Sequence, residues 1–165
     1  MDDDRAIEEA VRAAAESTGV PFEVVPCDPA LADTAAFCEA YGYEMEDSAN
    51  CVVVIGKADP PVFAACVLLA TTRLDVNGAV RRRLGTRKAS FAPADDVVAA
   101  TGMAIGGVTP VALPEGLPLW VDERVMARER IVLGAGSRHA KVLASPTILT
   151  ALGAEVVTDL AKAAG

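Results

Sequence analysis

Thr101-Gly102-Met103-Ala104-Ile105-Gly106-Gly107-Val108-Thr109-Pro110 carries three glycines and a proline in ten residues, between a helical segment and an apolar run from Val108 that reads as a strand. Glycine stands where the backbone needs a positive φ or where something must approach the chain closely. Pro110 fixes φ and removes a ladder donor, so the run cannot be an ordinary central strand. The amides of Gly106, Gly107, Val108 and Thr109 are thus expected to face a ligand instead of a strand partner. On this reading the loop lines the site and the other elements hold it.

Upstream, Pro93, Asp95 and Asp96 start a helix that runs to Ala100 and delivers the chain to this loop. Lys88 to Phe91 reads as a short strand before it. Asp75 caps a helix through Leu84, with Val76, Val80 and Leu84 inward. Cys51–Ile55 and Val62–Thr71 are apolar and β-branched, so they read as a hairpin or two adjacent strands buried on both faces. Residues 5–18 carry Ile7, Ala10, Val11 and Ala14 at helical spacing, and Phe22–Val25 follows as a strand. Asp33 or Thr34 caps a helix from Ala35 to Tyr41. Downstream, Leu119–Asp122, Ile131–Leu133 and Lys141–Leu143 read as strands, the last two around a second glycine turn, Gly134-Ala135-Gly136-Ser137-Arg138. Ser145-Pro146 opens a helix, and Val156-Val157 is a last strand before a short C-terminal helix. With no repeat, low-complexity tract or linker, residues 1–165 are expected to form one α+β domain.

Composition narrows the function. A chain of 165 residues, 52% hydrophobic with a mean hydropathy of +0.33, can bury a proper core, mostly of Ala and Val because aromatics are 4%. The net charge of −8 argues against wide phosphate contact. Arg81-Arg82-Arg83 with Arg87 and Lys88 is the one dense basic patch, and its plain reading is a solvated helix face and loop. Cys27, Cys38, Cys51 and Cys66 show no CxxC pair or zinc spacing, and His139 is the single histidine, so neither metal nor cofactor is expected. The acidic start MDDDR lacks the apolar segment of a leader, and the longest apolar run, Pro60 to Ala70, is too short to span a bilayer. The expectation is a cytoplasmic protein with reduced thiols and no membrane partner.

Two chemistries compete for the glycine turns. Phosphate cradling is disfavoured because neither GxxxxGK[ST] nor a strand-GxGxxG-helix unit is present, and a strand follows Gly134-Ala135-Gly136. An oxyanion or carbonyl pocket of backbone amides suits a hydrolase and a binding module equally. Glycines that merely turn tightly between strands remain the plain alternative. No GxSxG is present, and the nearness of Ser137 to His139 in sequence says nothing of pairing in space. Catalysis here would be water attack without a covalent intermediate.

The residues also resemble a known family. Thr101-Gly102 with Gly106-Gly107-Val108-Thr109-Pro110 resembles the GxxxP loop of the YbaK/EbsC family, bacterial aminoacyl-tRNA editing domains that are free-standing or inserted in prolyl-tRNA synthetase. Leu84-Gly85, Lys88 and Phe91-Ala92 resemble its LG..K..FA segment, Val121-Asp122 its VD, Gly134–Arg138 its late turn, and Thr34-Ala35-Ala36 its threonine-initiated helix. These matches run in consistent order over roughly residues 20 to 160.

The resemblance implies a mixed, mostly antiparallel, barrel-like sheet flanked by helices. It also implies a trans-editing deacylase that hydrolyses the ester of a mischarged tRNA and so serves translation fidelity. The implied partners are an aminoacyl-tRNA acceptor end and prolyl-tRNA synthetase, not DNA. Gly106 and Gly107 would act on the carbonyl and its oxyanion, with Val108, Thr109 and Pro110 completing that wall. Thr34 and the turn Gly134, Ala135, Gly136, Ser137, Arg138 and His139 would hold the amino acid and ribose. The family's usual lysine at the start of a strand is here Asn50, in Ala49-Asn50-Cys51-Val52-Val53, as in a subset of family-like sequences reading ANSLVF. Asn50 still offers a hydrogen bond, but neutral bonds are roughly half as strong as charge-assisted ones. The alternative it raises is a catalytically weakened binding module that recognises acceptor ends or a small aminoacyl-like ligand.

Overall fold

A computed structural model describes residues 2–103 and 107–163, with Asp2 and Asp3 as backbone only. Helix α1 (Asp2–Ser17) buries Val11 and Ala15 and packs Ile7 and Ala14 against the same core, the 3–4 spacing of an amphipathic stripe. Strand β1 (Phe22–Pro26) leads through a 3₁₀ turn (Pro29–Leu31) to α2 (Thr34–Tyr41). The hairpin expected from the two apolar runs is β2 (Ala49–Gly56) and β3 (Val62–Leu69), antiparallel from Ala49↔Leu69 to Gly56↔Val62. Strand β4 (Thr72–Leu74) follows, then a π-type turn (Val76–Val80) capped by the Asp75 carboxylate, the one-turn α3 (Arg81–Leu84), β5 (Ala89–Phe91) and α4 (Ala94–Thr101). The rest is β6 (Leu119–Asp122), α5 (Glu123–Met126), β7 (Ile131–Gly134), β8 (Ala140–Ala144), α6 (Thr147–Ala151), β9 (Glu155–Val157) and β10 (Ala161–Ala163).

The described strands form three sheets. One has five strands in the order β5-β2-β3-β6-β9, antiparallel except for β3–β6 and β6–β9. The second is the antiparallel β1-β8-β7, and the third pairs β10 with β4. The architecture is therefore the expected mixed, mostly antiparallel α+β arrangement, but no barrel closes among the described residues. The two larger sheets meet at one parallel bridge, Ser48↔Val132, and the five-stranded sheet ends in three-residue strands too short to extend the ladder. That incomplete closure leaves room for a cleft beside the bridge.

Two expectations are corrected. Val108–Val111 is not a strand but an irregular buried segment, because Pro110 cannot donate to a ladder and the Thr109 amide is turned inward. The C-terminal segment is strand β10 and not a helix, since its Ala161–Ala163 backbone pairs with Thr72–Leu74. The core is built from small aliphatic side chains, as the composition implied. Val54, Val67, Val80, Val121, Val125 and Leu160 are fully buried in it. Phe37, 1% exposed, stacks near Tyr41 and Tyr43 at 4.9 and 5.3 Å. Full burial of such a ring is worth roughly 1.5–3 kcal/mol.

Candidate active site

Beside the Ser48↔Val132 bridge lies a cleft of about 340 Å³. Its polar face comes from three elements. Thr34 is the first residue of α2, and Asn50 is the second of β2. Lys141, on β8, is paired on one side with Val25 and on the other with Gly134. The apolar face is Phe37, Val53, Val97 and Leu133, with Phe91 at the rim.

The Thr34 hydroxyl donates to Asn50 Oδ1 at 2.9 Å. That bond fixes the amide, so the two Asn50 Nδ2 hydrogens are available to another acceptor; none is found for them among the described residues. Lys141 is 8% exposed. Its Nζ donates to the Ala32 carbonyl at 2.8 Å and lies 5.6 Å from the centre of the Phe37 ring. An ammonium has three donors, so two remain. Burial holds the Lys141 pKa below the ordinary lysine value of 10.5; the Cys27 thiol opposes this, Arg138 adds to it, and Asp33 opposes it. Cys51 also lines the cleft, but burial and neighbouring Cys66 push its thiol up, so it stays protonated and is no thiolate nucleophile.

The glycine loop and the late turn are packed back to back. A Cβ on Gly134 would stand 2.6 Å from the Val108 carbonyl oxygen, and one on Gly107 would stand 2.8 Å from the Ser137 backbone. The Gly136 amide donates to the Gly107 carbonyl at 2.7 Å. Glycine is required at 107 and 134 because two backbones touch there. Of the loop, Val108 reaches the cleft, while Gly107, Thr109 and Pro110 are buried behind it. The Thr109 amide donates to Met103 Sδ at 3.4 Å, away from the cleft. Among the described residues, the amides of Gly107 and Val108 have no acceptor. Gly106 lies outside the described residues.

Of the late turn, Gly134 lines the cleft and the others do not. Ala135 is core, and Gly136 sits against Ile7. Ser137 donates to the Glu8 carboxylate, and its oxygen accepts from the His139 amide at 3.1 Å. Arg138 donates to the Pro29 carbonyl at 2.9 and 3.2 Å and lies 3.4 Å from Asp33, clamping the entry to α2. The His139 ring is half exposed beside Asp4 at 3.5 Å. The structure thus brings Thr34, Asn50, Val108 and Gly134 together and turns residues 135–139 toward α1 and the 29–33 segment.

Lys141 is the cleft residue that sequence reading missed, having taken it as the start of a strand. Its signal is there in retrospect. A lone lysine among Ala140, Val142, Leu143 and Ala144 in a strand buried throughout needs a reason. Conversely, Asp122 of the VD pair lies away from the cleft. It is fully buried and caps α5, and it accepts from the amides of Arg124 at 3.2 Å and Ala161 at 3.0 Å.

Residues 28–152 match the family model described as the aminoacyl-tRNA editing domain. The chain is 25% identical over 114 residues to EbsC of Enterococcus faecalis, whose name makes it a candidate Cys-tRNA(Pro)/Cys-tRNA(Cys) deacylase, with 69% of this chain and 68% of that one covered. Its fold is similar to that of a crystal structure described as a candidate trans-editing enzyme for prolyl-tRNA synthetase. There the TM-score is 0.80 at 26% identity, covering 96% of this chain and 98% of that one. A hypothetical protein of known structure has a TM-score of 0.82 at 25% identity over 93% of this chain and 99% of that one. With three quarters of its length matched, the chain belongs to the aminoacyl-tRNA editing domain family.

Proposed function

We infer that this chain is a trans-editing deacylase that hydrolyses the ester between a wrong amino acid and the terminal ribose of tRNA, with the reaction held in the Thr34–Asn50–Lys141 cleft. The observation that supports this best is the convergence of unspent donors on one cleft: Asn50 Nδ2 and Lys141 Nζ. Water adds to the ester carbonyl carbon, the carbonyl oxygen becomes an oxyanion, and the carbon–oxygen bond to the ribose breaks. The proton given up by water leaves with the ribose hydroxyl, so the products are a free amino acid and an uncharged tRNA. Donors already in place where the oxyanion forms lower the barrier; losing one costs from about tenfold for an ordinary neutral hydrogen bond to about 10²–10³ for a strong oxyanion donor.

In this reading Lys141 supplies from β8 the positive charge that Asn50 does not supply from β2. Asn50 then serves as a neutral donor oriented by Thr34, and Val108 of the glycine loop lines the same cleft. Docking on prolyl-tRNA synthetase belongs to the same proposal and is supported by what the similar structure is described as serving. A deacylation panel over mischarged tRNAs tests it. Release of the amino acid from at least one of them above the uncatalysed rate is expected, and no release from any would overturn it.

A further inference from the structure

Strand β5 is the edge of the five-stranded sheet, and its two ends differ in chemistry. At one end Phe91 stands on the rim of the cleft, 56% exposed, the most exposed large apolar side chain among the described residues. At the other end three cations gather. The Lys57 amide donates to the Lys88 carbonyl at 2.9 Å, and the Thr86 hydroxyl donates to the same oxygen at 2.9 Å. A Cβ on Gly56 would run into Thr86, so the tip of the β2–β3 hairpin and the 86–88 segment are pressed together. Lys57, Arg87 and Lys88 are therefore one exposed patch, and none has a carboxylate within ion-pair distance among the described residues. Elsewhere in this acidic chain, Arg83, Arg124, Arg128, Arg138 and Lys162 each face a carboxylate. Arg12 and Arg73 are exposed without one among the described residues, so what marks the patch is that three unpaired cations gather beside an exposed ring. Lys88 and Phe91 are three positions apart along the chain, about 10 Å at the usual strand rise.

We propose that the β5 edge is the track for the single-stranded 3′ end of the RNA. Phe91 stacks on a base at the cleft mouth, and Lys57, Arg87 and Lys88 hold the phosphates of the preceding nucleotides. The assignment rests on the reading of the cleft as the ester site, since that puts the terminal ribose at the rim. An aromatic ring beside a short run of unpaired cations is the usual way to hold a single strand without reading its sequence. It also explains how a chain of net charge −8 meets RNA: the contact needs one strand edge, not a basic face.

The test is fluorescence anisotropy with a labelled, uncharged single-stranded RNA ending in CCA, titrated between about 50 and 200 mM salt. Three phosphate contacts predict a log–log salt slope near −2 for the natural protein, flattened toward zero by Lys57→Ala/Arg87→Ala/Lys88→Ala. Phe91→Ala is expected to weaken binding about tenfold at unchanged slope, and Phe91→Trp to restore it. Arg12→Ala, an exposed arginine on α1, is expected to change neither. Absence of binding by the natural protein, an unchanged slope in the triple variant, or full affinity in Phe91→Ala would each overturn the track. Because this RNA carries no ester, the outcome is independent of whether the cleft hydrolyses one.

Discussion

Two polar clusters in this molecule, one around Asp122 and one around Asn50 and Lys141, differ in how much of their hydrogen-bonding capacity is spent. Around Asp122 both carboxylate oxygens are taken. The buried carboxylate accepts from the amides of Arg124 and Ala161, and Arg124 Nη1 donates to the Ala161 carbonyl at 2.7 Å. Around the cleft the valences stay open, with donors left on Asn50 and Lys141. Among the described residues no buried side-chain nitrogen or oxygen lacks a partner, so the unpaired Asn50 Nδ2 is open to the cleft and not shut in a dry interior. A closed cluster ties chain segments together, here β6, α5 and β10. An open one at a cleft keeps capacity for a ligand, because a buried donor without an acceptor costs about 1–3 kcal/mol.

The largest effect that would sharpen this contrast is on stability. Asp122→Ala leaves the Ala161 amide without its acceptor and removes the α5 cap, so denaturant unfolding should show a loss of roughly 2–4 kcal/mol. The rate per folded molecule should hold; a lost rate with an intact fold would break the contrast. Next is Lys141→Met, which keeps the aliphatic stem against Phe37 but removes the charge. Deacylation kcat/KM should fall about 100-fold, with Tm shifted by only a few degrees. A full rate in that variant would return Lys141 to a structural role. Smaller again, Asn50→Ala should cost about tenfold in kcat/KM, as expected for one neutral hydrogen bond, and Asn50→Lys should raise turnover.

The smallest effect is in the pH profile. Burial depresses the Lys141 pKa, so its charge is lost as pH rises through a value below 10.5. An alkaline limb of kcat/KM should appear below the ordinary lysine range and move upward in Lys141→Arg, whose charge persists. The stability sign is opposite. Between the lowered folded value and 10.5 the unfolded chain binds more protons, so the Lys141 contribution rises with pH in that window. An unmoved limb in Lys141→Arg would assign it to another group.

The hairpin was legible from Cys51–Ile55 and Val62–Thr71 because β-branched runs bounded by Gly56 and Pro60-Pro61 leave few other structures. Helix α1 was legible from its 3.6-residue stripe. The strand expected at Val108 failed because an apolar run with a proline satisfies burial as well as it satisfies pairing, and burial won. Within the site, Thr34 and Asn50 were legible only as separate candidates 16 residues apart, and their bond depends on where α2 packs, with Phe37 and Cys38 against Val132 of β7 and Leu143 of β8. Residues 135–139 read as one unit with Gly134. A β7–β8 turn, however, splits its members between two sides, and only the strand end faces the cleft.

By itself the sequence determined the α+β class, the small-aliphatic core, the two glycine turns and the family pattern, all carried by neighbours in the chain. Only the tertiary structure decided that the two turns brace each other by backbone contact, and that Asn50 shares its cleft with Lys141. The physical reason is range. Periodicity, capping and turn chemistry act over a few residues, whereas Lys141 meets Ala32 across 109 positions of chain. A buried ammonium acquires a role from what surrounds it in space, and nothing within its own strand states that.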